Sequence, residues 1–477
     1  MTEKFDLIVI GAGPAGEKGA AKAAQYGKQV ALIEREPYLG GAGINTGTVP
    51  SKTLRETALY FSGLRQRGLF GIDYSLKENL TIKDFMYRER KVVRKERKMI
   101  AEQIDEHHIT LLRGEGSLKD KNTVLVKSSK EEKELSGDFI LIATGSSPHH
   151  PPEIPFDGEL IFDSDTILNM KQIPRKMVVV GGGVIGTEYA SIFTALGIRV
   201  TLIEPKGRIV SFIDSEIGQR LMDQLLKLGI DFIFDDRMTA IEARKDHVHL
   251  TLEKGGKHDF EVALIAAGRQ SNVQGLGLEE VGVKLGNRGL ILVDENFQTN
   301  IPSIYAVGDV IGFPALASTS MDQGRLAAAH AFNEPANELR SLQPIGIYTI
   351  PEISYCGKTE GELTRDAIPF EVGISRYREL ARGQIVGDPY GMLKLIVHAD
   401  TREILGVHVF GTSATELVHI GQAIMGCGGT VDYLVDTVLN YPTLSEAYKV
   451  AALDVSNKLR AVARFMTEMA TSEPSLL

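Results

Sequence analysis

The chain carries one glycine-rich strand-turn-helix signature twice, at identical internal spacing. Asp6-Leu7-Ile8-Val9-Ile10 runs into Gly11-Ala12-Gly13-Pro14-Ala15-Gly16, and Met177-Val178-Val179-Val180 runs into Gly181-Gly182-Gly183-Val184-Ile185-Gly186. Each apolar run reads as a buried parallel strand, and each turn opens a helix. An acid closes the next apolar run in both copies, Glu34 after Val30-Ala31-Leu32-Ile33 and Glu204 after Val200-Thr201-Leu202-Ile203. Both acids lie 23 residues beyond the first glycine of their copy. A lone GxGxxG is weak evidence. The complete unit found twice is strong evidence for two Rossmann-like dinucleotide-binding domains.

The physics of the two copies is the same. The first glycine allows the tight turn, the second lets backbone approach a pyrophosphate, and the third lets helix and strand pack closely. The helix N-terminus offers free N–H groups and a positive dipole end to phosphates. The closing carboxylate accepts hydrogen bonds from ribose hydroxyls. A glycine turn without a ligand is the alternative, and the completeness of both copies argues against it. Two dinucleotides in one chain point to hydride transfer between two redox cofactors.

The 477 residues suffice for roughly three domains. Charged residues make up 24% and the net charge is −9, which argues against a nucleic-acid or anionic-membrane partner. No apolar run approaches the roughly 18 residues of a membrane span. Met1-Thr2-Glu3-Lys4-Phe5 leads straight into a strand, so no signal peptide is expected and a cytoplasmic location is the default. Cys356 and Cys427 are the only cysteines. They read as ordinary thiols rather than a disulfide framework.

Along the chain, the basic stretch from Arg88 to Lys98 reads as a solvated helix face, with a partner-binding patch as the alternative. Strand-like runs follow at Ile109–Leu112, Thr123–Val126 and Phe139–Ala143, the last ending in Thr144-Gly145. Ser147-Pro148-His149-His150-Pro151-Pro152 looks like a domain crossing. The two histidines lack metal-ligand spacing and a cysteine partner, so they read as loop residues, and no metal site is expected. The second dinucleotide unit reaches Leu264-Ile265-Ala266-Ala267-Gly268-Arg269. Ile304-Tyr305-Ala306-Val307-Gly308-Asp309 then precedes an Ala-rich helix from about Ala317 to Phe332. A polar joint, Asn333-Glu334-Pro335-Ala336-Asn337, leads into a final section of strands such as Met392–Val397 and helices such as Ala414–Met425. The end, from about Thr471, looks frayed.

These motifs in this order resemble the flavoprotein disulfide reductases, which include dihydrolipoamide dehydrogenase and glutathione reductase. The resemblance covers nearly the whole chain. It implies an α/β protein with an FAD domain in two segments, 1–150 and 271–341, an inserted NAD(P) domain, 151–270, and an α+β C-terminal dimerisation domain, 342–477. On that pattern FAD is bound by Gly11, Gly13, Gly16, Glu34, Arg35, Gly47, Thr48, Lys52, Gly116, Thr144, Gly145, Asp309 and Ala317. The nicotinamide nucleotide is bound by Gly181, Gly183, Val184, Ile185, Gly186, Glu188, Glu204, Gly268 and Arg269. A homodimer is implied as well.

The departures from the family are informative. Dithiol members carry Cys-x-x-x-x-Cys just before a Pro-Ser-Lys, and here those two positions hold Gly43 and Thr48, ahead of Pro50-Ser51-Lys52. The C-terminal His-Pro that serves those enzymes as a proton base is replaced in Asn440-Tyr441-Pro442-Thr443-Leu444-Ser445-Glu446. Tyr has an unperturbed pKa near 10, too high to take a thiol's proton readily near neutral pH. Both halves of the dithiol machinery are gone while both nucleotide signatures stand.

This combination resembles one branch of the family, the soluble pyridine nucleotide transhydrogenases. The matching residues are Asn45-Thr46-Gly47-Thr48-Val49-Pro50-Ser51-Lys52-Thr53-Leu54-Arg55-Glu56, Gln343-Pro344-Ile345-Gly346-Ile347-Tyr348, Tyr377-Arg378-Glu379-Leu380-Ala381-Arg382-Gly383-Gln384 and Asn440-Tyr441-Pro442. The resemblance implies FAD-dependent hydride exchange between NAD(H) and NADP(H) in two half-steps at one nicotinamide site. Lys52 would lie beside the flavin, paired with Glu188. Tyr441 would reach the flavin's other face from the partner subunit, or simply pack, and Glu446 completes the expected catalytic set. An NAD(P)H diaphorase or quinone reductase is the enzymatic alternative; a nucleotide-binding flavoprotein without catalysis is the other. Nucleotide preference stays open. Glu204 suits free ribose hydroxyls and would repel a 2′-phosphate by roughly 4 kcal/mol per unit-charge pair at about 4 Å before screening. Lys206 and Arg208 follow it and could accept that phosphate, or form a solvated loop.

Because Gly43 and Thr48 cannot form a second redox centre, reduction is expected to stop at two electrons per FAD. Dihydrolipoamide and glutathione disulfide should not turn over. An anaerobic titration that consumed four electrons per flavin would overturn this.

Overall fold

The computed structural model describes residues 3–63, 81–335 and 342–472. They fall into two compact units. The first holds the described residues of Met1–Thr57, Asn79–Val180 and Met238–Leu339, and the second those of Ala58–Glu78, Gly181–Arg237 and Arg340–Leu477. The chain starts with β1 (Glu3–Ile10), α1 (Pro14–Gln25), β2 (Val30–Glu34), α2 (Gly41–Asn45), α3 (Thr48–Phe61) and α4 (Ile82–Glu106). There follow β3 (Thr110–Arg113), β4 (Glu115–Leu118), β5 (Thr123–Lys127), β6 (Glu132–Ile142), β7 (Ser146–Pro148), β8 (Ile161–Phe162) and β9 (Lys176–Val180). The second unit takes α5 (Val184–Ala195), β10 (Arg199–Glu204), α6 (Ser215–Leu228) and β11 (Asp231–Phe234). The first unit resumes with β12 (Met238–Ala243), β13 (Val248–Leu252), β14 (Gly256–Phe260), β15 (Val262–Ile265), β16 (Arg269–Ser271), α7 (Leu278–Val281), β17 (Ile304–Ala306) and α8 (Ala317–Ala331). The final section is β18 (Ile345–Ile347), β19 (Ile353–Gly357), α9 (Glu360–Arg365), β20 (Phe370–Arg376), α10 (Ala381–Ile385), β21 (Met392–His398), β22 (Ile404–Phe410), α11 (Ala414–Gly426), α12 (Val431–Asp436) and α13 (Glu446–Ser472).

In the first unit the main sheet runs β3-β2-β1-β6-β5-β4. The β3-β2-β1-β6 part is parallel. The second half of β6 also pairs in parallel with β17, at Ile304↔Ile140, while its first half pairs antiparallel with β5. Residues alternate faces along a strand. Leu7 and Val9 therefore enter a core with α1, α4 and α8, while Ile8 and Ile10 enter another with Leu118, Val124 and Ile304. Burial on both faces explains why β1 is apolar throughout. In the same unit β15 pairs in parallel with β8 and β9, and β12, β13 and β14 form an antiparallel meander. The sequence reading did not separate that meander from the dinucleotide unit around it.

In the second unit β10 and β11 are parallel neighbours. The final section builds an antiparallel sheet in the order β18-β19-β22-β21-β20, covered by α11 and α13 residues such as Leu417, Val418, Tyr448 and Val455.

The helix boundaries follow local chemistry. Pro14 opens α1 and needs no N–H partner there. Thr81 and Asp84 form a capping box that starts α4. The basic face of α4 is exposed at Arg88, Arg90, Lys91, Arg94 and Lys95, while Phe85, Met86, Val93 and Ile100 are buried. Helix α13 runs to Ser472. Residues 473–477, and Ala336 and Asn337 of the polar joint, lie outside the described residues. No helix among the described residues is long and apolar enough to cross a membrane.

Helices α1 and α8 approach at backbone distance. A Cβ added to Gly324 would lie 2.1 Å from the Ala15 carbonyl oxygen, and one on Gly19 would lie 2.6 Å from Leu141 Cδ2 and 3.1 Å from the Gly324 oxygen. The obstacle at Gly324 is main chain, so the helices must part. Gly324→Ala should cost about 1–3 kcal/mol and lower the thermal unfolding midpoint by several degrees. An unchanged midpoint would show that the helices can separate freely.

Candidate active site

The first glycine turn is shaped by close backbone approach. Gly11 has φ +104°, and an added Cβ there would meet the Ala143 oxygen at 2.4 Å. A Cβ on Gly16 would lie 1.9 Å from the Gly11 oxygen. Gly13 is the N-cap of α1 and brings no side-chain cap, so the first helical N–H groups keep their capacity for an anion. Gly41 faces it so closely that a Cβ there would sit 2.7 Å from Gly13 Cα. Glu34 is buried, and its carboxylate ties the turn together: Ala12 N–H donates to Oε2 at 2.9 Å and Glu36 N–H to Oε1 at 2.8 Å. Each oxygen retains a lone pair for a ribose hydroxyl.

The second turn repeats this construction. Gly181 has φ +109°, and its N–H donates to the Ile203 oxygen at 2.8 Å, as Gly11 N–H does to Ile33. Gly183 is an uncapped N-cap like Gly13, with open space around its Cβ direction. Glu204 accepts from Gly182 N–H at 2.6 Å and Lys206 N–H at 2.9 Å. The two acids hold their turns through the same pair of backbone bonds. Val184 and Ile185 open α5 and Gly186 is buried within it. Lys206 and Arg208 are exposed, and the Arg208 guanidinium donates to the Ser211 carbonyl.

Around the first turn the structure gathers most of the residues implied for FAD. Gly47 N–H donates to the Ala42 oxygen at 2.6 Å, bending the chain between α2 and α3. Thr48 starts α3 and is exposed. Gly43 faces Pro14, whose Cγ would be 2.9 Å from an added Cβ. Lys52 is half-buried in the first turns of α3, with Nζ 3.3 Å from Ser51 Oγ. Gly116 packs over the strand ends, where an added Cβ would lie 3.1 Å from Ile10 Cγ2 and 3.2 Å from Ile33 Cγ2. Arg35 is exposed and pairs with Glu36. Ala317 begins α8.

The Thr144-Gly145 segment and the Gly268-Arg269 segment form one crossing. Strands β7 and β16 pair antiparallel there. Thr144 Oγ1 donates to the Asn272 oxygen at 2.7 Å, and Asn272 Nδ2 donates back to the Thr144 oxygen at 2.9 Å. Ser146 Oγ donates to Asp309 Oδ2 at 2.6 Å, while Arg269 Nε donates to Ser146 Oγ at 2.8 Å. Gln323 accepts the Gly308 N–H at 2.8 Å. Asn272, Ser146 and Gln323 are absent from the sequence reading. No local motif marks them: Ser146 and Asn272 act on segments more than 100 residues away, and Gln323 reaches back 15 residues to Gly308.

The first turn fits a dinucleotide on the structure's own terms. Its floor is backbone at distances only glycine permits, its helix lacks a cap, and Thr46 Oγ1 nearby is buried without a hydrogen-bond partner among the described residues. The histidines of the crossing are loop residues. His150 Nε2 lies 2.6 Å from Asp163 Oδ2, and its ring stacks on Phe156 at 4.2 Å. Burial works against the Asp163 charge, yet the Thr166 N–H and His150 hold its carboxyl below the usual range. Among the described residues no acid, histidine and cysteine group could hold a metal.

In the second unit Glu188 is buried on α5, and its Oε1 accepts the Tyr348 N–H at 2.8 Å. Tyr441 is 74% exposed. Glu446 heads α13, with Oε2 buried and unpartnered among the described residues. Cys356 lies buried on β19, where burial pushes its thiol up to about 11, and Cys427 is exposed at the end of α11. Both are free thiols, and neither belongs to the α2–α3 stretch.

The model of the family described as pyridine nucleotide-disulphide oxidoreductase matches residues 5–324, and that of its dimerisation domain matches residues 343–452. A soluble pyridine nucleotide transhydrogenase of Mycobacterium tuberculosis is 52% identical over 464 residues, 97% of this chain and 99% of that protein. One from Photobacterium profundum is 43% identical over 460 residues, 95% and 98% of the two chains. Among solved structures, LpdA from Mycobacterium tuberculosis matches with a TM-score of 0.88 at 26% identity, covering 95% of this chain and 99% of that one. The HOCl-induced flavoprotein disulfide reductase RclA from Escherichia coli, as its Cu(II) complex, matches with a TM-score of 0.85 at 26% identity, over 95% and 99%. With the family match spanning both glycine turns and the relatives matched from end to end, the chain belongs to the pyridine nucleotide-disulphide oxidoreductase family.

Proposed function

We propose that the protein transfers a hydride between NAD(H) and NADP(H), with FAD held at the first glycine turn and the two nicotinamide nucleotides taking turns at the second. The observation that carries this reading is the pair of alike-built turns in a chain whose Gly43 and Thr48 stand where dithiol relatives have cysteines. The end-to-end likeness to proteins named soluble pyridine nucleotide transhydrogenase supports it. FAD, when bound, supplies the hydride acceptor and donor between the two nucleotides.

The chain's own residues bind and orient. Gly11, Gly13 and Gly16 with the start of α1 take the FAD pyrophosphate, and Glu34 takes its ribose. Asp309, held by Ser146 and Arg269, lies on the same cradle with Thr144 and Gly145. Gly181, Gly183 and Gly186 with the start of α5 take the nicotinamide nucleotide, and Glu204 reads its ribose. Lys52 and Glu188 are the charged residues that the family resemblance assigns to the flavin's surroundings. The segments 1–150 and 271–341 form the FAD domain, 151–270 the NAD(P) domain and 342–477 the dimerisation domain. The exposed Tyr441 and Val438, at 74% and 90%, are the surface that a second copy would cover, bringing Tyr441 of the partner subunit to the flavin; Glu446 completes the proposed catalytic set.

Anaerobic stopped-flow tests the reaction. NADH should reduce the bound flavin, and NADP⁺ should then reoxidise it faster than a quinone does. Fast quinone reoxidation with an inert NADP⁺ would make the protein a diaphorase. A flavin that neither nucleotide reduces would make it a binding protein.

Nucleotide choice is tested at Glu204. Glu204→Gln removes the like charge facing a 2′-phosphate, so the NADPH-to-NADH ratio of kcat/KM should rise roughly tenfold for about 1.4 kcal/mol of repulsion relieved. The carboxylate also anchors the turn through Gly182 and Lys206. Gln can accept only one of those two bonds through its single oxygen, so activity with both nucleotides should fall as well. A ratio within about twofold of the parent would show that Glu204 serves the turn alone.

A further inference from the structure

We infer that Lys394, on β21 of the C-terminal section, is a positioning residue for the loop 205–213 that carries Lys206 and Arg208 in front of the nucleotide. The inference rests on the proposed reading of the second turn as the nicotinamide nucleotide site.

Lys394 is completely buried. Its Nζ donates to Asp214 Oδ1 at 2.9 Å, lies 3.4 Å from Glu216 Oε2 and meets Glu360 Oε1. Burial opposes the charge, but the hydrogen bonds to Glu360 and Asp214 outweigh it and hold the ammonium above its ordinary range. Burial pushes His408, the other basic group there, below its ordinary range. A fully buried ammonium among three carboxylates is costly to assemble unless its geometry is well satisfied, so it calls for a role.

The role follows from what Asp214 does. Asp214 is the N-cap of α6: its Oδ1 accepts from Glu216 N–H at 3.1 Å and Ile217 N–H at 3.4 Å. The same oxygen takes Lys394, while Oδ2 is buried without a partner among the described residues. Immediately upstream, Ile213 N–H donates to the Val210 oxygen at 3.1 Å, and Val210 N–H donates to the Gly182 oxygen at 2.8 Å. Val210 has φ +37°, a conformation that a β-branched residue holds only when its surroundings dictate it. The loop is therefore pinned at three places: by Glu204 to Lys206 N–H at its start, by Gly182 at its middle and by the Asp214–Lys394 pair at its end. Its roots Ile209, Val210 and Ile213 are buried, and its cations face out. Removing Lys394 leaves Asp214 as an uncompensated buried charge. The cap then turns toward water, and the strained loop loses its far anchor. Lys206 and Arg208 are the groups placed to meet a 2′-phosphate, so the effect should fall on NADP(H) more than on NAD(H).

The test is isothermal titration of the oxidised, FAD-loaded protein with NADP⁺ and with NAD⁺, in which no turnover occurs. In Lys394→Met the Kd for NADP⁺ should rise about tenfold, a coupling of ordinary size between distinct sites, and that for NAD⁺ less than threefold. Asp214→Asn preserves a good N-cap while breaking the ion pair. It should move the NADP⁺-to-NAD⁺ ratio the same way, which keeps the test available if Lys394→Met folds poorly. Leu395→Ala, a cavity in the core beside Lys394 on the same strand, should lower the unfolding midpoint and leave both Kd values within twofold. A ratio unmoved in Asp214→Asn, or moved as far by Leu395→Ala, overturns the inference and leaves the functional reading standing. A parent protein that binds neither nucleotide overturns both.

Discussion

One interaction recurs on which both nucleotide turns depend: a carboxylate at the end of a parallel strand accepts two backbone N–H groups, one from the glycine turn and one from the loop after the strand. Glu34 does this for Ala12 and Glu36, and Glu204 for Gly182 and Lys206. Charge-assisted bonds of this type are shorter and stronger than neutral ones. They orient the turn before any ligand arrives. The residue proposed for recognition is thus also a structural tie. The glycines cannot do this work alone, because they permit a conformation without selecting it.

Around this tie the molecule is built by close backbone approach. Gly11 against Ala143, Gly16 against Gly11 and Gly324 against Ala15 leave no room for a single added methyl. Such contacts put main-chain dipoles where side chains would otherwise stand, which suits the proposed pyrophosphate cradle. Beyond the turn, Ser146 connects Asp309 to Arg269, and Asn272 locks Thr144 in place. These bonds join segments more than 100 residues apart in the chain, so this crossing exists only once those segments have come together.

What was legible in the sequence divides along the same line. Strands buried on both faces announce themselves as apolar runs, and the turns as glycines, so β1, β2, β6, β9 and β10 and the starts of α1 and α5 were readable. The meander β12–β14 was not, since strands such as Met238–Ala243 and Gly256–Phe260 are largely exposed and weakly patterned. The 23-residue offset marked Glu34 and Glu204 as expected ribose partners, while their part as anchors of the turns shows only in the structure. Asn272, Ser146, Gln323 and Lys394 were invisible for one shared reason. Each acts through a tertiary hydrogen bond or ion pair, and a lysine inside an apolar strand such as Met392–His398 shows its partners only when the fold brings Asp214 and Glu360 to it.

The replacement of both dithiol positions acquires a physical sense in this setting. Gly43 lies against the Pro14 ring, and Thr48 is an exposed helix start; neither position holds a group that could take electrons. Cys356, with its thiol pushed up to about 11 by burial, is no thiolate near neutral pH. Electrons that enter such a protein have no sulfur relay along which to leave. They leave instead by direct transfer from the flavin to a second carrier. An enzyme of that kind needs a nucleotide site that tolerates two carriers differing by one phosphate. Glu204 beside the exposed Lys206 and Arg208, on a loop whose far end is tied by the buried Asp214–Lys394 pair, is the arrangement proposed to meet that need.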